Sequence, residues 1–221
     1  PFKGWYLNGF FDVFRFPWLR FQVNGPSFGY ETIGQLIYRP SKTLEIYFRF
    51  RQKNRQITEP SAFSQEPIRG VEDELRNYYR INLSYSLGKS IKLKNRIEYA
   101  RYKRGDRDVE QGFIIYQDIT YKALSFPVSF SARLAYFDTE TYNARIYAYE
   151  SDVLYGYSFP AYFNRGMRAY LVVRYSINRN IDAWFRVANL FWSNREEIGS
   201  GLETIDGKSR TDIKLQVRLK F

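Results

Sequence analysis

Alternating cations are the feature of the sequence with the clearest chemical potential. Lys92, Lys94 and Arg96 stand at every second position, and Arg49 and Arg51 show the same spacing. Side chains two residues apart in a strand share one face, so this spacing predicts a cationic surface. Such a surface attracts anions if it lines a pore, whereas its charges pair across strands if the interior is plugged. The basic candidates for lining a lumen are Arg49, Arg51, Arg80, Lys92, Lys94, Arg96, Arg133, Arg168, Arg174, Arg186, Lys214 and Arg218.

A second group of candidates is a run of aromatic side chains between about residues 139 and 166. So many rings are not expected to remain in water without a partner. They predict stacking on sugars or bases, contact with another protein, or folding of the segment inward as a constriction. The candidates in this loop are Tyr147, Tyr149, Tyr155, Tyr157, Phe159, Tyr162 and Phe163.

Catalysis has little support in the composition. The chain has no His and no Cys, which removes the commonest general base and the usual zinc ligands. Asp106, Asp108 and Glu110 alternate, but the remaining positions of a calcium loop are missing, so ordinary solvated charge is predicted. We therefore predict no catalytic residues, no metal site, no cofactor and no enzyme activity.

Strands must position these side chains. Period-two alternation predicts ten strands, at about 5–16, 29–39, 44–56, 75–87, 91–104, 112–122, 128–138, 167–177, 181–194 and 211–221. Short connections rich in turn-forming residues alternate with long loops at about 17–28, 57–74, 105–111, 139–166 and 195–210. Tight turns on one side and extended loops on the other are typical of outer-membrane β-barrels.

The last predicted strand has the most regular pattern. Ile213, Leu215, Val217, Leu219 and Phe221 share one face, and polar residues occupy the other. This alternation fits a sheet between an apolar medium and water, although an edge strand of a soluble sandwich shares it. A strand that ends on Leu219 and Phe221 resembles the C-terminal assembly signal of bacterial outer-membrane barrels.

Composition favours a membrane setting. Aromatic residues form 19% of the 221 residues, and the formal charge is +11. The chain has no apolar stretch of the roughly 18 residues that a membrane helix needs, but barrel strands expose only alternate side chains to lipid. A soluble barrel would share the period, yet the one-sided long loops favour the membrane. The charge suits lipopolysaccharide, nucleic acid or an anionic solute, or else a water-filled basic lumen.

Two stretches also resemble a known family. IYAYESDVLYGYSFPAYFNRGMRAYLVVRY (146–175) and IGSGLETIDGKSRTDIKLQVRLKF (198–221) are similar to the C-terminal barrel part of Bacteroidota outer-membrane proteins that carry N-terminal helix-hairpin-helix repeats. GYETIGQLIYRPSKTLEIYFRFR and GFIIYQDITYK extend the resemblance over most of the chain. It implies the outer membrane of a Gram-negative bacterium. The 221 residues contain no helix-hairpin-helix motif, so this segment does not support a nucleic-acid partner.

We therefore predict that residues 1–221 form a transmembrane outer-membrane β-barrel of about ten strands. Strand-like alternation begins at once, so we expect the C-terminal portion of a longer chain and a wider barrel, although ten strands can close alone. The expected function is passage of a solute or polymer through a basic lumen. The alternatives are a non-conducting scaffold subunit and a surface receptor that presents its long loops. Expected partners are outer-membrane lipid, lipopolysaccharide, the barrel-assembly machinery and other outer-membrane proteins.

Overall fold

The computed structural model describes residues 3–21, 23–60, 69–199 and 201–221. Within them, ten long strands form one antiparallel sheet in which each strand pairs with the next long strand along the chain. These strands are β1 (Trp5–Phe16), β2 (Ser27–Tyr38), β3 (Leu44–Thr58), β4 (Val71–Leu87), β5 (Ile91–Arg104), β6 (Glu110–Lys122), β7 (Val128–Thr139), β10 (Arg165–Ser176), β11 (Ile181–Trp192) and β14 (Ser209–Leu219). The prediction of an all-β chain with ten strands is confirmed.

The connections hold four short strands and a single 3₁₀ turn in the part of the chain that the structure describes. β8 (Ile146–Tyr147) pairs with β9 (Ala161–Tyr162), β12 (Glu197–Ile198) pairs with β13 (Ile205–Asp206), and the 3₁₀ turn spans Gly201–Glu203. None of the described residues forms a helix that is long and apolar enough to cross a membrane.

Strict alternation of short and long connections is not observed. The loop predicted at 105–111 comprises only residues 105–109, because β6 already begins at Glu110. It is therefore no longer than the turn at 123–127. In the loop predicted at 57–74, residues 57–58 belong to β3 and residues 71–74 to β4, and residues 61–68 lie outside the described part of the chain.

One surface of the sheet, the apolar face, is exposed and built from large side chains. The strand registers align Ile81, Ile97, Ile115, Tyr136 and Met167 in one row across five strands. Each of these side chains is between 38% and 53% exposed. Soluble monomers rarely expose apolar patches larger than a few hundred Å², and larger patches are typical of surfaces that contact lipid or another protein.

The opposite surface, the polar face, carries the charged residues. Arg80 lies across from Glu98, Lys94 lies across from Asp118, and Asp118 also lies across from Arg133. Placing opposite charges on directly paired positions stabilises neighbouring strands. The twelve basic residues predicted to lie on one side of the strands all lie on this face: Arg49, Arg51, Arg80, Lys92, Lys94, Arg96, Arg133, Arg168, Arg174, Arg186, Lys214 and Arg218.

Part of the polar face is covered by an apolar core at the ends of β5 to β11. The sheet contributes Ala100, Ile114 and Phe137, and the connection after β7 contributes Ile146 and Tyr162. All of these side chains are at most 2% exposed. The connection between β7 and β10 is therefore packed against the sheet and holds a fixed place over the polar face.

The sheet is strongly curled around the polar face. Phe159, in the connection between β7 and β10, lines one cavity with β3 and another with β14. Seven strand spacings separate β3 from β14, so a flat sheet would hold them about 34 Å apart. One side chain can border both strands only if the sheet bends around it. Among the described residues, β1 and β14 are the two edges of the sheet and do not pair with each other.

Candidate functional site

The centre of the candidate site is a hairpin, here called the inner hairpin, formed by residues 144–163. Ile146 pairs with Tyr162, and a bridge joins Glu150 to Ser158. Ile146, Ala148 and Glu150 are fully buried, whereas Tyr147 and Tyr149 between them are 37% and 52% exposed. Alternate side chains of an extended segment point to opposite sides. The inner hairpin therefore packs one side on the sheet and presents aromatic rings on its other side.

The carboxylate of Glu150 anchors the inner hairpin to the sheet. Arg168 donates to it from Nε and Nη2 at 2.5 and 3.0 Å, and Arg186 Nη2 donates at 2.8 Å. The Tyr162 hydroxyl donates at 2.7 Å and the Ser158 hydroxyl at 3.3 Å. A charge that is removed from water needs such a full set of partners to remain ionised.

Glu150 is held in its ionised form. Burial by itself would raise the pKa of this carboxyl, but the hydrogen bonds and positive charges of Arg168 and Arg186 outweigh it and lower the pKa from its ordinary value of 4.5. The same site raises the pKa of the Tyr162 hydroxyl through burial and the nearby carboxylate. Tyr162 therefore remains a neutral hydrogen-bond donor to Glu150.

Asp152 forms a second anchor at the tip of the inner hairpin. Lys214 Nζ lies 2.7 Å from its carboxylate, and Arg186 Nε lies 3.7 Å away. Hydrogen bonds from Lys214 and from the Val153 amide overcome burial and lower the pKa of Asp152. Because Arg168, Arg186 and Lys214 belong to β10, β11 and β14, the two acids bind the hairpin to three strands.

The exposed side of the inner hairpin carries a row of four neighbouring aromatic side chains, here called the ring row. Tyr149 lies 5.9 Å from Tyr157, Tyr157 lies 6.2 Å from Phe159, and Phe159 lies 5.5 Å from Tyr147, measured between ring centroids. The last pair is stacked, with an interplanar angle of 11°. These rings leave their faces available to flat groups on the open side of the hairpin.

Opposite the end of the ring row stands a wall of guanidinium groups, here called the arginine wall: Arg49, Arg51 and Arg80. A cavity of about 190 Å³ separates the wall from Tyr147 and Phe159. Arg49 and Arg80 face each other directly across β3 and β4, an arrangement of like charges that costs stability. The wall is therefore placed to attract an anion into the cavity.

The carboxylates near this cavity neutralise only part of its charge. Glu98 receives two hydrogen bonds of 2.8 Å from Arg80, and Glu31 pairs with Arg51 at 2.7 Å. Arg49 donates to the side-chain oxygen of Gln35 at 2.6 Å and forms no ion pair with a described residue. Glu98 lines the same cavity, but no described carboxylate forms an ion pair with Arg49.

The remaining basic candidates divide into paired and unpaired residues. Arg133 pairs with Asp118 at 2.5 Å, and Asp182 pairs with both Arg174 and Arg218. Arg96 lies 3.8 Å from Glu98, with its Nε buried and without a hydrogen bond. Lys92 and Lys94 form no ion pair within the described part of the chain. Pairing therefore dominates near the inner hairpin, whereas Arg49 on β3 and Lys92 and Lys94 on β5 form no ion pair with a described residue.

The aromatic candidates occupy four environments. Tyr147, Tyr149, Tyr157 and Phe159 form the ring row, and Tyr162 is buried beneath the hairpin. Phe163 packs against Trp192 at 5.1 Å. Tyr155 lies at the tip, 88% exposed and with a φ of 62°, in the left-handed region that non-glycine residues seldom adopt. The segment packs over the polar face of the sheet, and its role as a constriction stays a prediction.

The two candidates for an assembly signal lie at the end of the last strand. β14 ends at Leu219, two residues before the end of the predicted strand, and Phe221 follows it. Both side chains are exposed, and Leu219 lies on the apolar face with Leu215 and Val217. Their role in assembly stays a prediction.

The carboxylates of the inner hairpin were not predicted as anchors. Their signal in the sequence is the alternation from Ile146 to Glu150, which places Glu150 on the buried side with Ile146 and Ala148.

Among the residues that the structure describes, no three Asp or Glu side chains are grouped so as to hold a metal ion. No protein-family model matches the chain, and no curated protein matches it either. Functional inference therefore depends on the site itself.

Proposed function

We propose that this chain is part of an outer-membrane β-barrel that passes an anionic solute across the membrane of a Gram-negative bacterium. In this proposal, the apolar face contacts lipid and the polar face borders the water-filled interior. The inner hairpin narrows that interior, and the solute crosses between the ring row and the arginine wall. The resemblance to Bacteroidota outer-membrane barrels supports the same location.

The row of exposed apolar side chains supports the membrane setting. Ile81, Ile97, Ile115, Tyr136 and Met167 form a continuous row across five strands of a curled sheet whose other face is charged. A soluble barrel or sandwich places its apolar residues on the inside and its charges outside. Barrels that cross a membrane have the reverse arrangement, with apolar residues outward and polar residues inward.

The observation that carries the proposed passage is the charge of Arg49 beside the cavity, with which no described carboxylate forms an ion pair. Most basic residues near the inner hairpin are neutralised by Glu150, Asp152 or Asp182. Arg49 instead lies directly across from Arg80 on the neighbouring strand, and its side-chain hydrogen-bond partner among the described residues is the neutral amide of Gln35. Cations in a narrow wall of low dielectric lower the barrier to anions.

A second candidate function is a non-conducting scaffold in an outer-membrane complex. The observation that favours it is the density of contacts beneath the inner hairpin, where Ile146, Ala148 and Glu150 are fully buried. A hairpin fixed in this way blocks part of the interior. In this case the ring row would contact another protein instead of a solute.

Single-channel recording of the full chain in planar bilayers, under a salt gradient, separates the two functions. We expect a steady current that prefers anions, and Arg49→Gln should reduce the preference without preventing insertion. Arg179→Gln is the matched control, because Arg179 lies in the exposed turn between β10 and β11. A chain that inserts but carries no current would contradict passage and favour the scaffold.

A further inference from the structure

The cavity between the ring row and the arginine wall combines two kinds of recognition. Its lining includes Arg49, Arg51 and Arg80, with Glu98 as its acid. The aromatic lining includes Tyr147 and Phe159 from the inner hairpin, and Tyr78 from β4 is a third ring. Guanidinium groups bind the oxygens of carboxylates and phosphates, and aromatic faces stack on flat or ring-shaped groups.

The size of the cavity limits the ligand. Its volume of about 190 Å³ is below the roughly 300–1,000 Å³ that is typical for drug-sized ligands. A single ring with one charged substituent is therefore the appropriate size for this space. The ring row continues outward from the cavity through Tyr157 and Tyr149, so further rings of the same molecule have stacking surfaces along the inner hairpin.

Available hydrogen-bond donors favour an oxyanion on that ring. Arg80 is occupied by Glu98, and Arg51 is occupied by Glu31. Arg49 uses Nε for Gln35, and no described carboxylate pairs with its terminal nitrogens. An oxyanion in the cavity would accept from Arg49 and relieve the repulsion between Arg49 and Arg80. A neutral ligand would leave that repulsion unchanged.

We propose that this cavity is a binding site for an acidic sugar, in which the sugar ring stacks on Phe159 and Tyr147 and its carboxylate or phosphate contacts Arg49. The inference rests on the proposed function, because it identifies the class of solute that crosses at the same site. Saccharides combine a ring with an apolar face and polar edges, which matches stacking rings beside hydrogen-bonding groups.

The test measures calorimetric binding to the full chain, folded in detergent micelles. The probes are glucuronate and glucose 6-phosphate, with glucose and inorganic phosphate as the neutral sugar and the sugar-free anion. We expect both acidic sugars to bind at least tenfold more tightly than glucose and phosphate, because only they use both parts of the cavity. Comparison of the two acids shows which oxyanion the site prefers.

Two variants examine the two halves of the site. Arg49→Gln should weaken both acidic sugars about tenfold, in line with the loss of a charged hydrogen bond, and it leaves no carboxylate without its partner. Phe159→Leu keeps an apolar side chain but removes the ring, and it should weaken the sugars about tenfold while phosphate binding is unchanged. Arg179→Gln should bind as the unaltered chain does.

Three results would overturn the inference: glucose that binds as tightly as glucuronate, acidic sugars that bind Arg49→Gln normally, or no binding of either acid at roughly 10 mM. The proposed passage of a solute is tested separately, by the conductance measurement. A chain that binds acidic sugars in micelles yet carries no current would retain the site and lose the passage. A conducting chain that binds neither acid would retain the passage and lose the site.

Discussion

Replacement of Glu150 by Gln should release the inner hairpin from the sheet. The substitution keeps the size of the side chain but leaves Arg168 and Arg186 without the carboxylate that they share. Both the acid and Arg186 are nearly or completely buried, at 0% and 2% exposed. Removing one member of a buried ion pair costs about 3–5 kcal/mol, because the remaining charges stay out of water.

A single introduced thiol can report the release. The chain contains no Cys, so Ala148→Cys, at a side chain that is 0% exposed, is the only thiol that a maleimide can modify. A loss of about 3 kcal/mol in docking corresponds to a rise of about a hundredfold in the open population. Labelling of Ala148→Cys should therefore become about a hundredfold faster when Glu150→Gln is added, because labelling follows the open population.

Controls distinguish release from a general loss of structure. Tyr149→Cys, on the exposed side of the hairpin, gives the unhindered labelling rate and should not respond to Glu150→Gln. Glu196→Gln removes an acid from an exposed pair with Lys208, where about 1 kcal/mol or less is at stake. If labelling of Ala148→Cys rises less than threefold with Glu150→Gln, or rises as much with Glu196→Gln, the anchoring role of Glu150 is refuted.

Three further outcomes are expected. The pKa of Glu150 is lowered in the folded chain. The stability that Glu150 gives to docking is therefore complete at pH values above the ordinary Glu pKa, and it is lost only as the pH falls through the lowered pKa. Deuterium uptake of the inner hairpin, corrected for intrinsic exchange, should stay low down to pH values below about 4.5. Gly166→Ala should lower the free energy of unfolding by roughly 1–3 kcal/mol, because the added Cβ would lie 2.1 Å from the Phe191 carbonyl oxygen. Gly34→Ala is the control and should leave the free energy of unfolding unchanged, because nothing lies within 4 Å of a Cβ at that position. Leu134→Arg should lower the free energy of unfolding in lipid vesicles by about 2–4 kcal/mol, because it places a charge on the face proposed to contact lipid. An unchanged free energy of unfolding would contradict lipid contact at this position.

The long strands could be predicted because each carries its own signal. The predicted and observed ends of β1 and of β5 agree. In these strands, side chains of the two faces alternate along the segment, and this alternation is the signal that predicts a strand. The common side of the twelve basic residues follows from the same period, since antiparallel pairing keeps each face continuous from strand to strand. Local alternation thus determines both the strands and their faces.

The inner hairpin could not be placed from the sequence because its partners are distant. Glu150 is 18 residues from Arg168 and 36 residues from Arg186, and any basic residue of the polar face was an equal candidate. The alternation from Ile146 to Glu150 shows only that the segment has two sides. Which side meets the sheet depends on how far the sheet curls, and that is a property of all ten strands together.

Lipid contact at Leu134 is the most direct test of whether the apolar face lies in a bilayer. Leu134 lies on the apolar face of β7 and is 56% exposed, and Ser131 lies on the polar face of the same strand. A fluorophore attached to Leu134→Cys or to Ser131→Cys, in vesicles with brominated lipid chains, measures contact with the bilayer core at each position. If the sheet spans the membrane, we expect strong quenching at position 134 and little at position 131. Equal quenching at both positions, or none at position 134, would contradict a membrane-spanning sheet.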